Sequence, residues 1–248
     1  MGRLSGKVAL VTGGGTGVGK ATSLLFAREG ADVAVNFSRS KKEAEQTVSE
    51  IQRLGLRSIA ICADISDDSL VRSMVEEVVE SLGRLDILVN NAGVTQSVAA
   101  TDLEGMTEEA WDRILAVNVK GTFFCSRAAI PAIKSSGGGS IINVSSDSVI
   151  TGQGSSIAYT ASKAAIINMT RSLALSQAPK IRINAVAPGV VETRWIEQIG
   201  DLADHYRMTN PLQRLARPED VAEAILALAL NNFMTGQTMV VNGGRAFL

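Results

Sequence analysis

Two side chains that together could do acid–base chemistry lie one helical turn apart in the stretch "SSIAYTASKAAIINMTRSLA". Tyr159 and Lys163 are four residues apart, and positions i and i+4 share one face of an α-helix. A nearby ammonium favours the phenolate form of a tyrosine and so lowers its pKa. The pair is therefore either a packed ring beside a solvated charge or a proton donor beside the cation that tunes it.

The tuning that a basic tyrosine would need is large. An ordinary tyrosine has a pKa of about 10, so a pKa near 7 requires about 4 kcal/mol of preferential stabilisation of the phenolate. We expect Lys163 to supply it in a site where water is scarce. The chain has a single histidine, His205, and its other tyrosine, Tyr206, has no lysine four residues later. No cluster of Cys, His and carboxylates has zinc-ligand spacing, so we expect no catalytic metal.

A glycine-rich turn, "VTGGGTGVGK", joins the first apolar run to the first helical segment. Gly13, Gly17 and Gly19 permit a tight turn and a close approach of the backbone to a pyrophosphate, and the following helix N-terminus presents free N–H groups. Similar turns occur without ligands. The position at the first strand-to-helix connection favours a dinucleotide phosphate site.

The end of the second apolar run, "NFSRSKK", indicates which nucleotide is bound. A carboxylate at this place would bind both ribose hydroxyls and favour NAD, but the stretch contains none. Ser38 and Arg39 occupy it instead, and a guanidinium suits a 2′-phosphate. We predict NADP(H) as the preferred cofactor, with NAD(H) as the alternative. Lys41 and Lys42 are interpreted as the solvated start of the next helix.

Composition excludes several classes of protein. The 248 residues are 46% hydrophobic and 20% charged with a net charge of −1, which is typical of a globular domain and does not favour nucleic-acid binding. The N-terminus lacks the apolar stretch of a signal sequence, and no run approaches the roughly 18 apolar residues of a membrane span. We expect a cytoplasmic protein that does not bind membranes. Cys62 and Cys125 lie in apolar runs and are expected to be buried, reduced thiols.

The elements that must position these side chains alternate along the chain. Strand-like apolar runs separated by helical patterns predict a parallel sheet covered on both faces. We therefore predict one α/β domain over residues 1–248, a doubly wound sheet of about seven parallel strands. Long helices are expected at 107–134, ending near Pro131, and at 157–178, and a further helix opens at Pro218. The strand-like runs are 7–12, 32–37, 57–64, 85–93, 140–146, 180–189 and 237–244.

The segment 190–214 interrupts this alternation late in the chain, where a substrate lid would lie. A pair of surface helices explains the same pattern. Both interpretations remain open from the sequence.

Short motifs, taken in this order and spacing, resemble the short-chain dehydrogenase/reductase family. The match runs from Lys7 to Gly244. The resemblance implies a Rossmann-type fold, a nicotinamide cofactor and hydride transfer between a carbonyl and an alcohol. The motifs are "TGGGTGVG" at 12–19, Asp64, "NNAG" at 90–93, "NVKG" at 118–121, "INVSS" at 142–146, "YTASK" at 159–163 and "NAVAPGVVET" at 184–193.

The resemblance implies four catalytic residues, Asn118, Ser146, Tyr159 and Lys163. The family's serine lies 13 residues before the tyrosine, which selects Ser146 over Ser145; the latter is expected to bond to backbone. Ser146 would donate to the substrate oxygen, and Lys163 would also bind the nicotinamide ribose. Asn118 would hold a water that links Lys163 to solvent, or it is a mid-helix polar residue bonded locally.

The resemblance also implies a set of cofactor-binding residues. Asp64 would contact the adenine, although a helix-capping carboxylate is the alternative. The set is Gly13, Thr16, Gly17, Val18, Gly19, Ser38, Arg39, Asp64, Ile65, Asn91, Ala92, Gly93, Tyr159, Lys163, Pro188, Gly189, Val190 and Thr193.

The substrate is less constrained. The chain resembles 3-oxoacyl-[acyl-carrier-protein] reductases, but "SSGGGS" before the fifth strand offers no cation for an acidic carrier protein. We predict a small or medium hydrophobic ketone or secondary alcohol, with an acyl-carrier substrate as the alternative and an NADP-binding sensor as the non-enzymatic one. The resemblance further implies a homotetramer. We expect the two long helices to form a four-helix contact through small residues, namely Ala128, Ala129, Ala161, Ala164 and Ala165.

Overall fold

A computed structural model describes residues 2–198 and 202–247 of the chain. Seven strands form one sheet in the order β3-β2-β1-β4-β5-β6-β7, and every pair is parallel. The predicted doubly wound sheet is therefore confirmed. The strands are β1 (Val8–Val11), β2 (Asp32–Phe37), β3 (Ser58–Cys62), β4 (Ile87–Asn90), β5 (Gly139–Val144), β6 (Ile181–Pro188) and β7 (Thr238–Val241).

Helices cover both faces of the sheet. The α-helices are α1 (Gly17–Arg28), α2 (Lys41–Arg53), α3 (Asp68–Leu82), α4 (Glu108–Leu115), α5 (Thr122–Ser135), α6 (Ser148–Thr151), α7 (Ile157–Gln177), α8 (Leu202–Thr209) and α9 (Pro218–Leu230). Alternate residues of β1 enter opposite cores, because successive strand side chains point to opposite faces. Ala9 and Val11 pack with Phe26 and Ile225, whereas Leu10 packs in the cluster of Met74.

The helix predicted at 107–134 is not continuous. A π-helical segment, Ala116–Gly121, separates α4 from α5, and it carries Asn118. Pro131 lies inside α5 and does not end it. Burial of Ile133, which is 0% exposed, holds the last turn against the sheet and offsets the hydrogen bond that proline cannot make.

The two cysteines differ in exposure. Cys125 is buried as predicted, and burial raises the pKa of its thiol to about 12. The prediction for Cys62 is wrong, since this residue is exposed. It ends β3, the strand at one edge of the sheet, where one flank has no neighbouring strand.

The segment 190–214 contains a 3₁₀ helix, Arg194–Gln198, followed by α8. Residues 199–201 of this predicted lid lie outside the described residues. Within the part of the chain that the structure describes, no helix combines the length and apolar character that crossing a bilayer requires.

Candidate active site

The candidate residues collect at the carboxyl edge of the sheet. The glycine turn follows β1, Asn91 follows β4, Ser146 follows β5 and Gly189 follows β6. The strand order reverses between β1 and β4, and ligands of open α/β sheets bind in the crevice at such a point.

Backbone geometry shapes the glycine turn. Gly13 and Gly17 have φ values of +61° and +50°, in the left-handed region that favours glycine. A Cβ at Gly19 would collide with the carbonyl oxygen of Gly13, so the start of α1 lies directly against the turn. Thr16 is the N-cap of α1 but does not cap it through its side chain in the described structure. The first N–H groups of α1 therefore face the crevice, as a phosphate site requires.

Two buried polar residues that the sequence analysis missed hold this turn. Thr12 Oγ1 accepts hydrogen bonds from the backbone N–H groups of Asn91 and Ala92, both at 3.0 Å. Asn36 Oδ1 accepts from the N–H of Gly13 at 3.3 Å, and Asn36 Nδ2 donates to the carbonyl of Ala63 at 3.0 Å. Buried polar side chains need hydrogen-bond partners, so polar residues within otherwise apolar strand sequences could have indicated these two positions.

Tyr159 and Lys163 share one face of α7, as their spacing predicts. The helix is capped by Ser156, whose Oγ accepts from the N–H of Tyr159 at 3.2 Å. Lys163 is only 4% exposed. Its Nζ donates to the carbonyl of Val144 at 2.8 Å and lies 5.6 Å from the centroid of the Tyr159 ring. The solvated-charge interpretation of Lys163 is therefore wrong.

Burial dominates the proton affinities of this pair. It raises the pKa of Tyr159 to about 12, although a hydrogen bond with Ser146 opposes the rise. It lowers the pKa of Lys163 to about 8, because an ammonium loses solvation inside the protein. Lys163 by itself therefore does not bring the pKa of Tyr159 toward 7, and the positive charge of an oxidised nicotinamide would have to add to the effect of its ammonium. At neutral pH the chain's own groups keep Tyr159 as a protonated phenol.

The two neighbouring serines have different partners. Ser145 Oγ donates to the backbone carbonyl of Lys163 at 2.8 Å, as expected for a structural hydroxyl. Ser146 Oγ accepts from the N–H of Ser148 at 3.2 Å, and the Ser146 side chain lies near enough to the Tyr159 hydroxyl to oppose the rise of its pKa. Ser146 is therefore the serine that lies with the phenol.

Asn118 is fully buried, and its side chain joins distant segments. Its Oδ1 accepts from the N–H of Val94 at 2.9 Å, and its Nδ2 donates to the Val94 carbonyl and to Ser162 Oγ, each at 3.0 Å. These partners are 24 and 44 residues away, so the interpretation as a locally bonded residue is wrong. The amide couples the loop after β4 to α7 at Ser162, the residue directly before Lys163.

Asp64 is held by a residue that the sequence analysis missed. Its carboxylate accepts from the N–H of Ser66 at 3.0 Å and from Arg113 Nη2 at 2.9 Å. Burial alone would raise the pKa of Asp64, but the bonds from Ser66 and Arg113 outweigh it and lower the pKa. The helix-capping alternative is wrong, because Asp67 caps α3.

The predicted lid contacts both ends of the crevice. The Trp195 ring lies edge-on to the Tyr159 ring, with centroids 6.1 Å apart. A Cβ at Gly17 would lie 3.1 Å from Thr193 Cγ2, so the start of the segment crosses the glycine turn. Trp195 is thereby placed beside the reactive phenol, which the sequence could not decide. Among the described residues, no group of three or more His, Cys, Asp or Glu side chains could hold a metal ion.

Comparison with known proteins identifies the family. A family model described as enoyl-(acyl carrier protein) reductase matches residues 13–246. A putative ketoacyl reductase 2 of the granaticin polyketide synthase from Streptomyces violaceoruber is 42% identical over 244 residues, covering 97% of this chain and 96% of the relative. A 3-oxoacyl-[acyl-carrier-protein] reductase from Thermotoga maritima is 41% identical, covering 98% of both chains. The chain belongs to the short-chain dehydrogenase/reductase family.

Solved structures agree with this assignment. A putative short-chain dehydrogenase/reductase from Burkholderia xenovorans superimposes with a TM-score of 0.90 at 33% identity, covering 96% of this chain and 97% of the other. A 3-ketoacyl-(acyl-carrier-protein) reductase from Brucella melitensis complexed with NADH gives 0.89 at 35% identity, covering 98% and 100%. This short-chain dehydrogenase/reductase is an oxidoreductase of CH–OH and C=O groups that uses a nicotinamide cofactor.

Glycines border the crevice of this short-chain dehydrogenase/reductase at points where the backbone lies close to other residues of the site. A Cβ at Gly93 would lie 3.3 Å from Asn118 Oδ1 and 3.6 Å from Lys163 Nζ. A Cβ at Gly189 would lie 3.0 Å from the Cα of Asn242. Ser38 and Arg39 are exposed at the end of β2. The residues around the crevice therefore fit a dinucleotide that extends from β2 across the switch point to β6.

Proposed function

We propose that Tyr159 is the general acid of this oxidoreductase and protonates a ketone oxygen as hydride reaches the carbonyl carbon. The observation that carries the proposal is the arrangement of the half-buried Tyr159 ring, with the buried Lys163 ammonium 5.6 Å from its centroid and the Ser146 side chain nearby. Proton transfer by a positioned side chain contributes about 10²- to 10⁴-fold to rates.

The proposed ketone reduction is a single step in which the carbonyl carbon receives a hydride and the carbonyl oxygen receives a proton. A nicotinamide held in the crevice would supply the hydride. Ser146 donates a hydrogen bond to the carbonyl oxygen and holds it within reach of the phenol. Tyr159 gives its proton to that oxygen, which leaves a secondary alcohol and a phenolate. The Lys163 ammonium stabilises the phenolate until solvent protons restore the phenol, and the same groups act in reverse for alcohol oxidation.

The remaining assignments follow from position. Asn118 holds the loop after β4 against α7 and so keeps Gly93 and Lys163 in register. We assign the phosphates to the N-terminus of α1 and the adenine to Asp64 with Ile65, where Arg113 keeps the carboxylate ionised and oriented.

A direct assay tests the proposed function. A panel of small alkyl ketones, 3-oxo esters and 3-oxoacyl thioesters, with the matching secondary alcohols, is measured with NADPH and with NADH. Oxidation of the reduced cofactor that depends on a carbonyl compound supports the proposal. A protein that binds the cofactor but turns over no member of the panel would be the sensor instead.

A carrier-bound 3-oxoacyl thioester is the second candidate substrate, because two relatives at 41% and 40% identity are named 3-oxoacyl-[acyl-carrier-protein] reductases. Gly139 bonds to Lys180, so the cation-free segment 135–139 adjoins Lys180 at the sheet's opposite edge. Lys134 and Lys180 are exposed at that edge, away from the crevice, so they do not favour docking of an acidic carrier near the active site. Preference in the panel for the carrier-bound thioester over its coenzyme A form would select this candidate.

Cofactor preference depends on Arg39 in our proposal. Replacing this exposed residue in Arg39→Asp removes the partner of a 2′-phosphate and adds a repelling charge. We expect kcat/KM for NADPH to fall about 30-fold or more, since hydrogen bonds to charged groups contribute about 1.5–3 kcal/mol before repulsion is added. The value for NADH should change less than about threefold.

Arg53→Asp is the matched control, because it makes the same charge change at the far end of α2. It should leave both nucleotides unaffected. Equal losses for NADPH and NADH in Arg39→Asp would show that Arg39 does not distinguish them.

We propose a homotetramer in which the face of α5 and α7 is covered by a second copy. Ala161 and Ala164 are exposed on α7, and Phe123 on α5 is 38% exposed. The prediction that Ala129 takes part in this contact is wrong, because this residue is 0% exposed and packs in the core. Light scattering at micromolar concentration should give a mass four times that of one chain; a monomer would contradict the proposal.

A further inference from the structure

A buried ion pair lies beside the catalytic loop. Asp147 directly follows Ser146, and its side chain is 3% exposed. Arg245, from the C-terminal segment after β7, approaches its two carboxylate oxygens with Nη1 at 3.4 and 3.3 Å. The pair spans 98 residues of sequence, so the C-terminal segment is tied to the residue next to the catalytic serine.

The same guanidinium reaches two further elements. Its central carbon lies 4.5 Å from the centroid of the Tyr206 ring on α8, within cation–π distance. Its Nη2 donates to Gln153 Oε1 at 3.1 Å. Arg245 thus contacts the catalytic loop, the turn before α7 and the predicted lid at once, which the planar fork of arginine permits.

Backbone contacts run alongside this side chain. The N–H of Leu212 donates to the carbonyl of Gly243 at 3.3 Å. A Cβ at Gly243 would lie 2.6 Å from Asn210 Nδ2, so the C-terminal segment lies directly against the end of the lid. The chain after β7 is therefore the support on which the segment after α8 rests.

We propose that Arg245 is a positioning residue that fixes the lid over the catalytic loop, by bridging Asp147 and Gln153 to the ring of Tyr206. The inference rests on the proposed function, and it takes the described parts of the predicted lid, residues 190–198 and 202–214, as one wall of the substrate site. Trp195, on the same segment, packs on the Tyr159 ring, so release of this contact would loosen one wall of the substrate site.

Hydrogen–deuterium exchange of the whole protein tests the bridge without any substrate. In Arg245→Gln we expect amides of residues 206–212 to exchange about tenfold faster, since a partly buried cation–π contact is worth about 1–2 kcal/mol. Tyr206→Leu should have the same effect. The double variant should add nothing further, because both changes break one contact. Tyr206→Phe keeps the ring and should match the unmodified protein.

Loss of Arg245 leaves the buried Asp147 carboxylate unpaired, which by itself could destabilise the fold. A second variant separates that effect from loss of the bridge. Asp147→Asn/Arg245→Gln removes both charges and keeps polar side chains of similar size. It should show the faster exchange of residues 206–212 with an unchanged core. Unmodified exchange in this variant, or additive effects of Arg245→Gln and Tyr206→Leu, would overturn the inference.

Kinetics separate positioning from a general structural role. With the ketone of the panel that is reduced fastest, Arg245→Gln should raise KM for the ketone about tenfold while the Kd for NADPH stays within about twofold. A parallel loss of cofactor binding would overturn the inference. If no carbonyl compound is reduced, the proposed function fails by itself, and the exchange measurement still decides the bridge.

Discussion

Tyr159→Phe should lower kcat for ketone reduction by about 10³-fold, the midrange of what positioned general acids contribute. The change removes only the hydroxyl. The ring keeps its edge-on contact with Trp195, and the N–H of residue 159 keeps its bond to Ser156. Cofactor affinity should change by no more than about tenfold, because the loss of one hydrogen bond costs about 0.5–1.5 kcal/mol.

Tyr206→Phe is the matched control, since these are the chain's two tyrosines. It should retain activity near that of the unmodified protein. Steady-state rates with the best ketone, together with the Kd for NADPH from fluorescence titration, check both variants. More than about a tenth of the original kcat in Tyr159→Phe would mean that another group supplies the proton.

Ketone reduction should decline as pH rises above about 8. Burial lowers the Lys163 pKa to about 8, so the ammonium is present below this pH and is lost above it. The pKa of Tyr159 is raised to about 12, so the phenol keeps its proton throughout this range and does not cause the decline. Without the ammonium, the phenolate formed in the step loses its stabilising charge.

Lys163→Met should therefore abolish the decline as well as lower kcat by about 10²-fold or more. Profiles of kcat between pH 6 and 10 check this, with NADPH concentration held saturating. Lys134→Met, which changes an exposed lysine of α5, should keep the decline of the unmodified protein. A decline that persists in Lys163→Met would assign it to another group.

The same substitution should not weaken the fold. The pKa of Lys163 is lower in the folded chain than the ordinary 10.5, so the unfolded chain holds this proton more tightly. The charge on Lys163 thus lowers the free energy of unfolding by about 3 kcal/mol below pH 8. This loss of stability disappears as the pH rises from about 8 to 10.5. This destabilisation by the charge exceeds the roughly 1 kcal/mol of stability that the hydrogen bond to Val144 contributes and that the variant loses. Urea unfolding at pH 7 should show Lys163→Met at least as stable as the unmodified chain.

Much of the architecture follows from local pattern. The alternation of apolar runs with helical segments predicts seven parallel strands, because strands buried on both faces must be apolar throughout. The glycine turn and the start of α1 are likewise local, since φ values at Gly13 and Gly17 that only glycine adopts readily are encoded by residue type. The shared face of Tyr159 and Lys163 follows from helical periodicity alone.

Other properties of the site were decided only by the tertiary structure. The spacing of Tyr159 and Lys163 predicts their shared face, but the pKa of Tyr159 rises because burial outweighs the opposing hydrogen bond with Ser146. Asn118 lies in a π-helical segment, and its side-chain amide bonds to Val94 and Ser162, which are distant along the chain.

The pairs that position the site are also distant along the chain. Arg113 meets Asp64 across 49 residues, and Arg245 meets Asp147 across 98. Periodicity reports which residues share a face of one element, whereas solvation and long-range pairing arise only when several elements pack together. The sequence by itself therefore determined the family fold and the reacting pair; packing determined their proton affinities and the residues that hold them in place.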